Sequence, residues 1–164
     1  MSSNIAVYAG SFDPFTLGHV DIAQRGSTMF DKLIIAIGCN PDKKYLFTFD
    51  ERKSIIKDAL SHCNNIEITS FNGLLVDYCK TIGANVILRG LRSERDLSFE
   101  LPMGLANMDM APEIESIFLL SNPNYIFVSS SLMKEIALNG GDVHKYLPSK
   151  AVELITVKRD EEKT

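Results

Sequence analysis

Three short stretches of this chain bring together side chains suited to handling phosphate. The first, YAGSFDPFTLGHV (Tyr8–Val20), sets Ser11, Thr16 and His19 around Gly10 and Gly18. Gly10 allows the backbone to turn and to approach a ligand with no Cβ in the way. A helix opening near Gly18 would offer free amide donors and a positive end-dipole, so the loop reads as an anion cradle. Thr16 and His19 lie three positions apart and can face one way. A helix N-terminus disfavours an imidazolium, so His19 is expected to be a neutral donor toward a phosphoryl oxygen rather than a proton carrier. The bland reading, a capping or packing histidine, carries equal weight for His19 taken alone.

The second stretch, ILRGLRSERD, flanks Gly90 with Arg89 and Arg92. Guanidinium forks match phosphate oxygens; the competing reading is a solvated turn paired with Glu94 and Asp96. The third is Ser129–Ser131. An N-cap needs one serine, and three, with Lys134 a turn later, suggest further phosphate contacts. NPDKKY adds Lys43 and Lys44, either of which could reach a second anionic substrate.

These segments need a frame that brings them together. Apolar runs predict strands at Ile5–Ala9, Lys32–Ile37, Ile66–Ser70, Asn85–Gly90 and Glu115–Leu120. Between them lie helices at Gly18–Met29, from Thr48 (with Glu51 at capping-box spacing), at Leu74–Ile82 ending on Gly83, and at Arg95–Met108, which Pro102 should kink or divide. A serine-capped helix ending at Gly140 and a last helix from near Pro148 follow. The fold class expected is α/β, a single Rossmann-like, doubly wound domain over residues 1–164 with a five-stranded parallel sheet, and if its strand order is 3-2-1-4-5 the order reverses between strands one and four. Ligands of such sheets sit at the carboxyl ends of the strands where the order reverses, here between strands one and four. The three stretches all border that point.

Composition sets the outer limits. The chain has 164 residues, 45% hydrophobic and 23% charged, with a formal net charge of -4. Neither a nucleic acid nor an anionic membrane is favoured as a partner. There is no signal-peptide pattern and no apolar run of membrane-spanning length, so a cytoplasmic protein is expected. Cys39, Cys63 and Cys79 form no CxxC pair and are expected to be buried free thiols of a reducing compartment. His19, His62 and His144 show no metal-ligand spacing, and no metal site is expected. The tail from Lys158 to Thr164 is charged and expected to fray. The dinucleotide GxGxxG, the P-loop and the GxSxG elbow are all missing. Residue chemistry alone therefore reaches a phosphate-binding α/β enzyme using a nucleotide.

In combination the stretches resemble the nucleotidyltransferase superfamily built on HxGH and ISSTxxR-like motifs, which read here Thr16-Leu17-Gly18-His19 and Val128–Lys134. Threonine in the first position, with GSFDP upstream, is similar to the bacterial phosphopantetheine adenylyltransferases. The likeness continues through KKYLFTFDER, ILRGLR, Glu100, PEIES and GDVHKYLP. It implies AMP transfer from ATP to 4'-phosphopantetheine with Mg2+, giving dephospho-coenzyme A and pyrophosphate, by direct in-line attack without a covalent intermediate. By position, it implies that His19 stabilises the transition state with support from Thr16. ATP would be held by Ser11, Phe12, His19, Gly90, Leu91, Arg92, Glu100, Tyr125, Ile126, Phe127, Val128, Ser129, Ser130 and Ser131. Phosphopantetheine would be held by Ser11, Lys43, Leu75, Arg89 and Asn107. The family is usually hexameric, which implies a homo-oligomer. The chain departs from the family's usual residues at Ala9, Leu17, Tyr45 and Val128, none of them a donor in the mechanism, while Pro102 bears on where Asn107 is aimed. Two alternatives stand beside this reading. One is a nucleotidyltransferase acting on nicotinamide mononucleotide or glycerol phosphate, families that carry histidine in place of Thr16. The other is a non-catalytic nucleotide-binding module.

Overall fold

The computed structural model describes residues 4–161. Its strands are β1 (Ile5–Gly10), β2 (Lys32–Gly38), β3 (Ile66–Phe71), β4 (Val86–Leu91) and β5 (Glu115–Leu120). The helices are α1 (Leu17–Met29), α2 (Phe49–Ala59), α3 (Leu75–Ile82), α4 (Glu94–Met110), α5 (Ser130–Leu138) and α6 (Ser149–Glu161), with a 3-10 turn at Pro123–Tyr125. All strand pairs are parallel, in the expected order β3-β2-β1-β4-β5.

The apolar runs became strands because both faces of the sheet are covered. Ala6, Tyr8, Leu33, Ile35, Ile37, Val86 and Leu88 point into one core, shared with Ile22 of α1, Ile55 and Ile56 of α2, Met133 of α5 and Val152 of α6. The alternate residues Val7, Ala9, Ile34, Ala36 and Ile87 point into a second core with Val76 and Cys79 of α3. The reversal of strand order shapes the site directly. β1 and β4 are paired only through Ala6–Val86, Val7–Ile87 and Tyr8–Leu88. Beyond Tyr8 and Leu88 the two strands stay hydrogen-bonded to their outer neighbours, up to Gly10–Ile37 and Leu91–Leu120, so their carboxyl ends part.

Three expectations are corrected. Pro102 does not divide α4, which is one helix from Glu94 to Met110. The carbonyl that loses its helical partner there belongs to Ser98, an exposed residue, where water can take the bond. The charged tail is helical through Glu161 instead of frayed from Lys158: Lys158 lies over the Phe47 ring and pairs with Glu51 at 2.9 Å. Residues 162–164 of that tail lie outside the described residues. Of the three cysteines, only Cys79 is buried; Cys39 and Cys63 keep partial exposure, and all three are free thiols. The Thr48–Glu51 capping box forms as expected. No helix among the described residues is long and apolar enough to cross a membrane.

Candidate active site

The parted ends of β1 and β4 open into a cleft of about 400 Å³, lined by the β1–α1 loop, the end of β4 and the start of α5. A second, larger lobe of about 1190 Å³ joins it and extends between the ends of β1, β2 and β3 and the helix α4. Ser11, Lys43, Tyr45 and Arg89 border both lobes, so they stand at the junction.

Thr16 caps α1 in a reciprocal box with His19 in the place usually held by Glu or Gln. The Thr16 backbone amide donates to His19 Nδ1 at 3.0 Å, the Thr16 Oγ1 lies 3.1 Å from the same nitrogen, and the His19 amide donates back to Oγ1 at 3.3 Å. A backbone amide can only donate, so Nδ1 is an acceptor and the ring proton sits on Nε2. Phe15 stacks on the imidazole at 5.3 Å, and Phe12 meets it edge-on at 5.2 Å. The His19 pKa is lowered to about 3, first by burial and then by the charges of Arg92 and Arg89. The ring is neutral, as expected, with burial as the leading cause.

The cradle differs in detail from the sequence reading. A Cβ at Gly10 would come within 2.9 Å of the Phe12 ring, so the missing side chain makes room for packing by Phe12, itself at φ 49°. In the first turn of α1, Leu17 donates to the Tyr146 carbonyl at 2.9 Å and His19 to Thr16. Among the described residues, the Gly18 amide is the one of that turn left without a protein acceptor. The three serines divide their tasks. Ser129 caps α5 by accepting from Leu132 at 3.2 Å, Ser130 Oγ donates to the Pro14 carbonyl at 2.7 Å, and Ser131 is exposed. The amides of Ser130 and Ser131 face the cleft end of the helix, the usual place for an anion.

Both arginines arrive at the cleft with carboxylate partners. Arg92 Nε and Nη2 donate to Asp96 at 3.0 and 3.1 Å, and Nη1 to the Val128 carbonyl at 2.8 Å. This is the Asp96 pairing of the competing reading, formed within the cleft wall itself. Arg89 lies on the α4 side of the sheet, opposite to Tyr8. It donates from Nε to Glu100 at 2.7 Å and from Nη1 to the Ala9 carbonyl at 2.8 Å, while Nη2 forms a second bond to Glu100. Lys43 Nζ reaches Ser11 Oγ at 3.3 Å.

Of the residues expected at the site, Ser11, Phe12, Thr16, His19, Gly90, Arg92, Glu100 and Val128–Ser131 line the first lobe. Leu75 and Asn107 line the second, and Lys43 and Arg89 line both. Leu91, Tyr125, Ile126 and Phe127 do not line the first lobe. Tyr125 stands behind Gly18, and Phe127 packs edge-on against Tyr146 at 5.1 Å. Two residues of consequence escaped the sequence reading. Asp13, 5% exposed, accepts from the amides of Leu46 and Phe47, both at 2.9 Å, and pairs with Lys134 at 2.8 Å. It fastens the β1–α1 loop, the lysine loop and α5 to one carboxylate. Arg52 is 3% exposed, and its signal was present: it shares a helical face with Ile55 and Ile56.

Comparison with known proteins fits this arrangement. The cytidylyltransferase-like family matches residues 7–136. Similar curated proteins include the phosphopantetheine adenylyltransferase of Heliobacterium modesticaldum, 49% identical over 88% of this chain and 86% of that protein. The phosphopantetheine adenylyltransferase of Clostridium botulinum is 46% identical over 90% of this chain and 93% of that protein. Among solved structures, a bifunctional NMN adenylyltransferase/ADP ribose pyrophosphatase from Francisella tularensis superposes with a TM-score of 0.71 at 19% identity, covering 97% of this chain and 50% of that one. The nicotinic acid mononucleotide adenylyltransferase of Plasmodium falciparum gives 0.67 at 17% identity, covering 97% and 96%. At these identities the structural likeness concerns the fold alone.

Proposed function

The chain belongs to the phosphopantetheine adenylyltransferase family, and we propose that it moves AMP from ATP to 4'-phosphopantetheine, yielding dephospho-coenzyme A and pyrophosphate. The observation that carries this reading is the junction of the two lobes, where Ser11, Lys43 and Arg89 stand beside the neutral His19. A nucleotide in the first lobe and a phosphorylated arm in the second would meet there.

In this reading the acceptor phosphate attacks the α-phosphorus of ATP in line, and pyrophosphate leaves. His19 Nε2–H donates to the α-phosphoryl oxygen as charge grows on it; a neutral donor with its tautomer set by Thr16 needs no reorganisation during the step. Arg92, Lys134 and the amides of Ser130 and Ser131 supply positive potential along the triphosphate. Lys43 and Arg89 hold the acceptor phosphate, and Leu75 and Asn107 border the path of its arm. No covalent intermediate is invoked, and catalysis is by positioning and charge stabilisation.

Mg2+ is proposed to enter on the triphosphate, where it would neutralise charge on the departing pyrophosphate. The cleft carboxylates offer it no cage: Asp13 is held by Lys134 and two amides, Asp96 by Arg92 and Glu100 by Arg89. Among the described residues no group of three or more His, Cys, Asp or Glu is placed to hold a metal.

We further propose a homo-oligomer, hexameric by family resemblance, in the cytoplasm. Support for the oligomer comes from α4: none of its residues is buried, and Leu101, Leu105 and Met108 are exposed on a face that lines neither lobe. The function is tested by incubating the purified protein with ATP, Mg2+ and 4'-phosphopantetheine and looking for dephospho-coenzyme A by mass. Its absence from a folded enzyme would refute the reading.

A further inference from the structure

We propose that Arg52 and Tyr45 are a pair of positioning residues that hold Lys43 over Ser11, and thereby set the affinity for the acceptor phosphate through that lysine. The inference rests on reading the Ser11–Lys43 junction as the acceptor phosphate site.

Arg52 is an unusual buried cation. A guanidinium so enclosed is ordinarily paired with a carboxylate. Among the described residues Arg52 forms no salt bridge, and its Nε has no hydrogen-bond partner. Its charge is met by other means. Nη1 donates to the Ser11 carbonyl at 2.7 Å and to the Gly38 carbonyl at 3.3 Å, and the Tyr45 ring lies 4.1 Å from the guanidinium carbon. Those carbonyls stand at the ends of the adjacent strands β1 and β2, so Arg52 ties the two ends together.

Tyr45 extends the tie to the lysine loop. Its hydroxyl donates to the same Gly38 carbonyl at 3.3 Å and accepts from the Asn40 amide at 3.1 Å. Asn40 in turn accepts from the Lys43 amide at 3.1 Å through its carbonyl and from Asp42 at 2.9 Å through its side chain. The segment from Asn40 to Tyr45 is thus closed on itself and anchored through the Tyr45–Arg52 stack. Lys43, exposed on this loop, reaches Ser11 Oγ at 3.3 Å. Ser11 is therefore gripped at its carbonyl by Arg52 and at its hydroxyl by a lysine whose loop Arg52 anchors. A flexible ammonium on a free loop would lose conformational entropy on meeting phosphate; the stack removes part of that cost beforehand.

The test compares Tyr45→Leu, which removes stack and hydroxyl, with Tyr45→Phe, which keeps the stack. Steady-state kinetics for both substrates are measured together with hydrogen exchange of residues 39–46 by mass spectrometry. For Tyr45→Leu the expected result is an acceptor KM raised about tenfold, an ATP KM unchanged, kcat within about twofold, and faster exchange in the loop. Tyr45→Phe should raise the acceptor KM by less than about threefold. An unchanged acceptor KM, an equal rise for ATP, or unchanged loop exchange in Tyr45→Leu would overturn the proposal. Wild-type protein that shows no turnover with 4'-phosphopantetheine would instead defeat the functional reading, and the exchange comparison would still decide whether the stack orders the loop.

Discussion

The Thr16 backbone amide donates to His19 Nδ1 at 3.0 Å, which commits the ring proton to Nε2. A residue arranged this way is built to donate one hydrogen bond and to carry no charge. His19→Ala is expected to lower kcat by about a hundredfold or more, while the ATP Kd changes by less than about threefold. Single-turnover kinetics with an equilibrium ATP titration check this. A collapse of ATP binding would make His19 a ground-state contact.

The same burial links His19 to pH. Its pKa is about 3 in the folded protein against an ordinary value of 6.5, lowered first by burial and then by Arg92 and Arg89. The unfolded chain therefore takes up the proton first as pH falls. The stability contribution of the neutral ring is complete above pH 6.5 and is lost progressively between there and about 3. Urea unfolding at pH 7 and pH 5 should show wild type losing roughly 2 kcal/mol more than His19→Gln. Equal losses in the two proteins would show that the imidazole is not held neutral.

Arg89 and Glu100 form a partly enclosed pair, 26% and 17% exposed at the side chain. Glu100→Ala leaves the guanidinium, among the described residues, with only the Ala9 carbonyl as hydrogen-bond partner. Partial exposure discounts the cost of a broken buried pair, so a loss of about 1–2 kcal/mol is expected in urea unfolding, with a higher acceptor KM because Arg89 is no longer aimed. Unchanged stability and unchanged KM would show the pair to be incidental.

The face of α4 bears on assembly. Leu101 and Leu105 are 48% and 56% exposed, lie one helical turn apart and line neither lobe. Leu101→Asp, with or without Leu105→Asp, is expected to shift sedimentation toward smaller species. A wild-type protein that sediments as a monomer would remove the oligomer from the account.

The sheet was legible because its strands are continuous apolar runs, and each predicted strand lies within one residue of the observed one at either end. The Thr48–Glu51 cap was legible because it is a local spacing rule. The site was legible as three segments, since their position beyond strands follows from topology. Its wiring was not. The Glu100 partner of Arg89 comes from another element, and Asp13 pairs with Lys134, 121 positions away in sequence. No periodicity encodes such meetings. The failure of Pro102 to divide its helix has a different reason: the rule against proline concerns a lost bond, and an exposed helix can pass that bond to water.

The most direct measurement is pyrophosphate release by the purified wild-type protein with ATP and Mg2+, compared across acceptors. Release that depends on 4'-phosphopantetheine, with none for nicotinamide mononucleotide and none when CTP replaces ATP, is the expected result. A folded protein that is silent with 4'-phosphopantetheine yet turns over nicotinamide mononucleotide, or uses CTP, would contradict it.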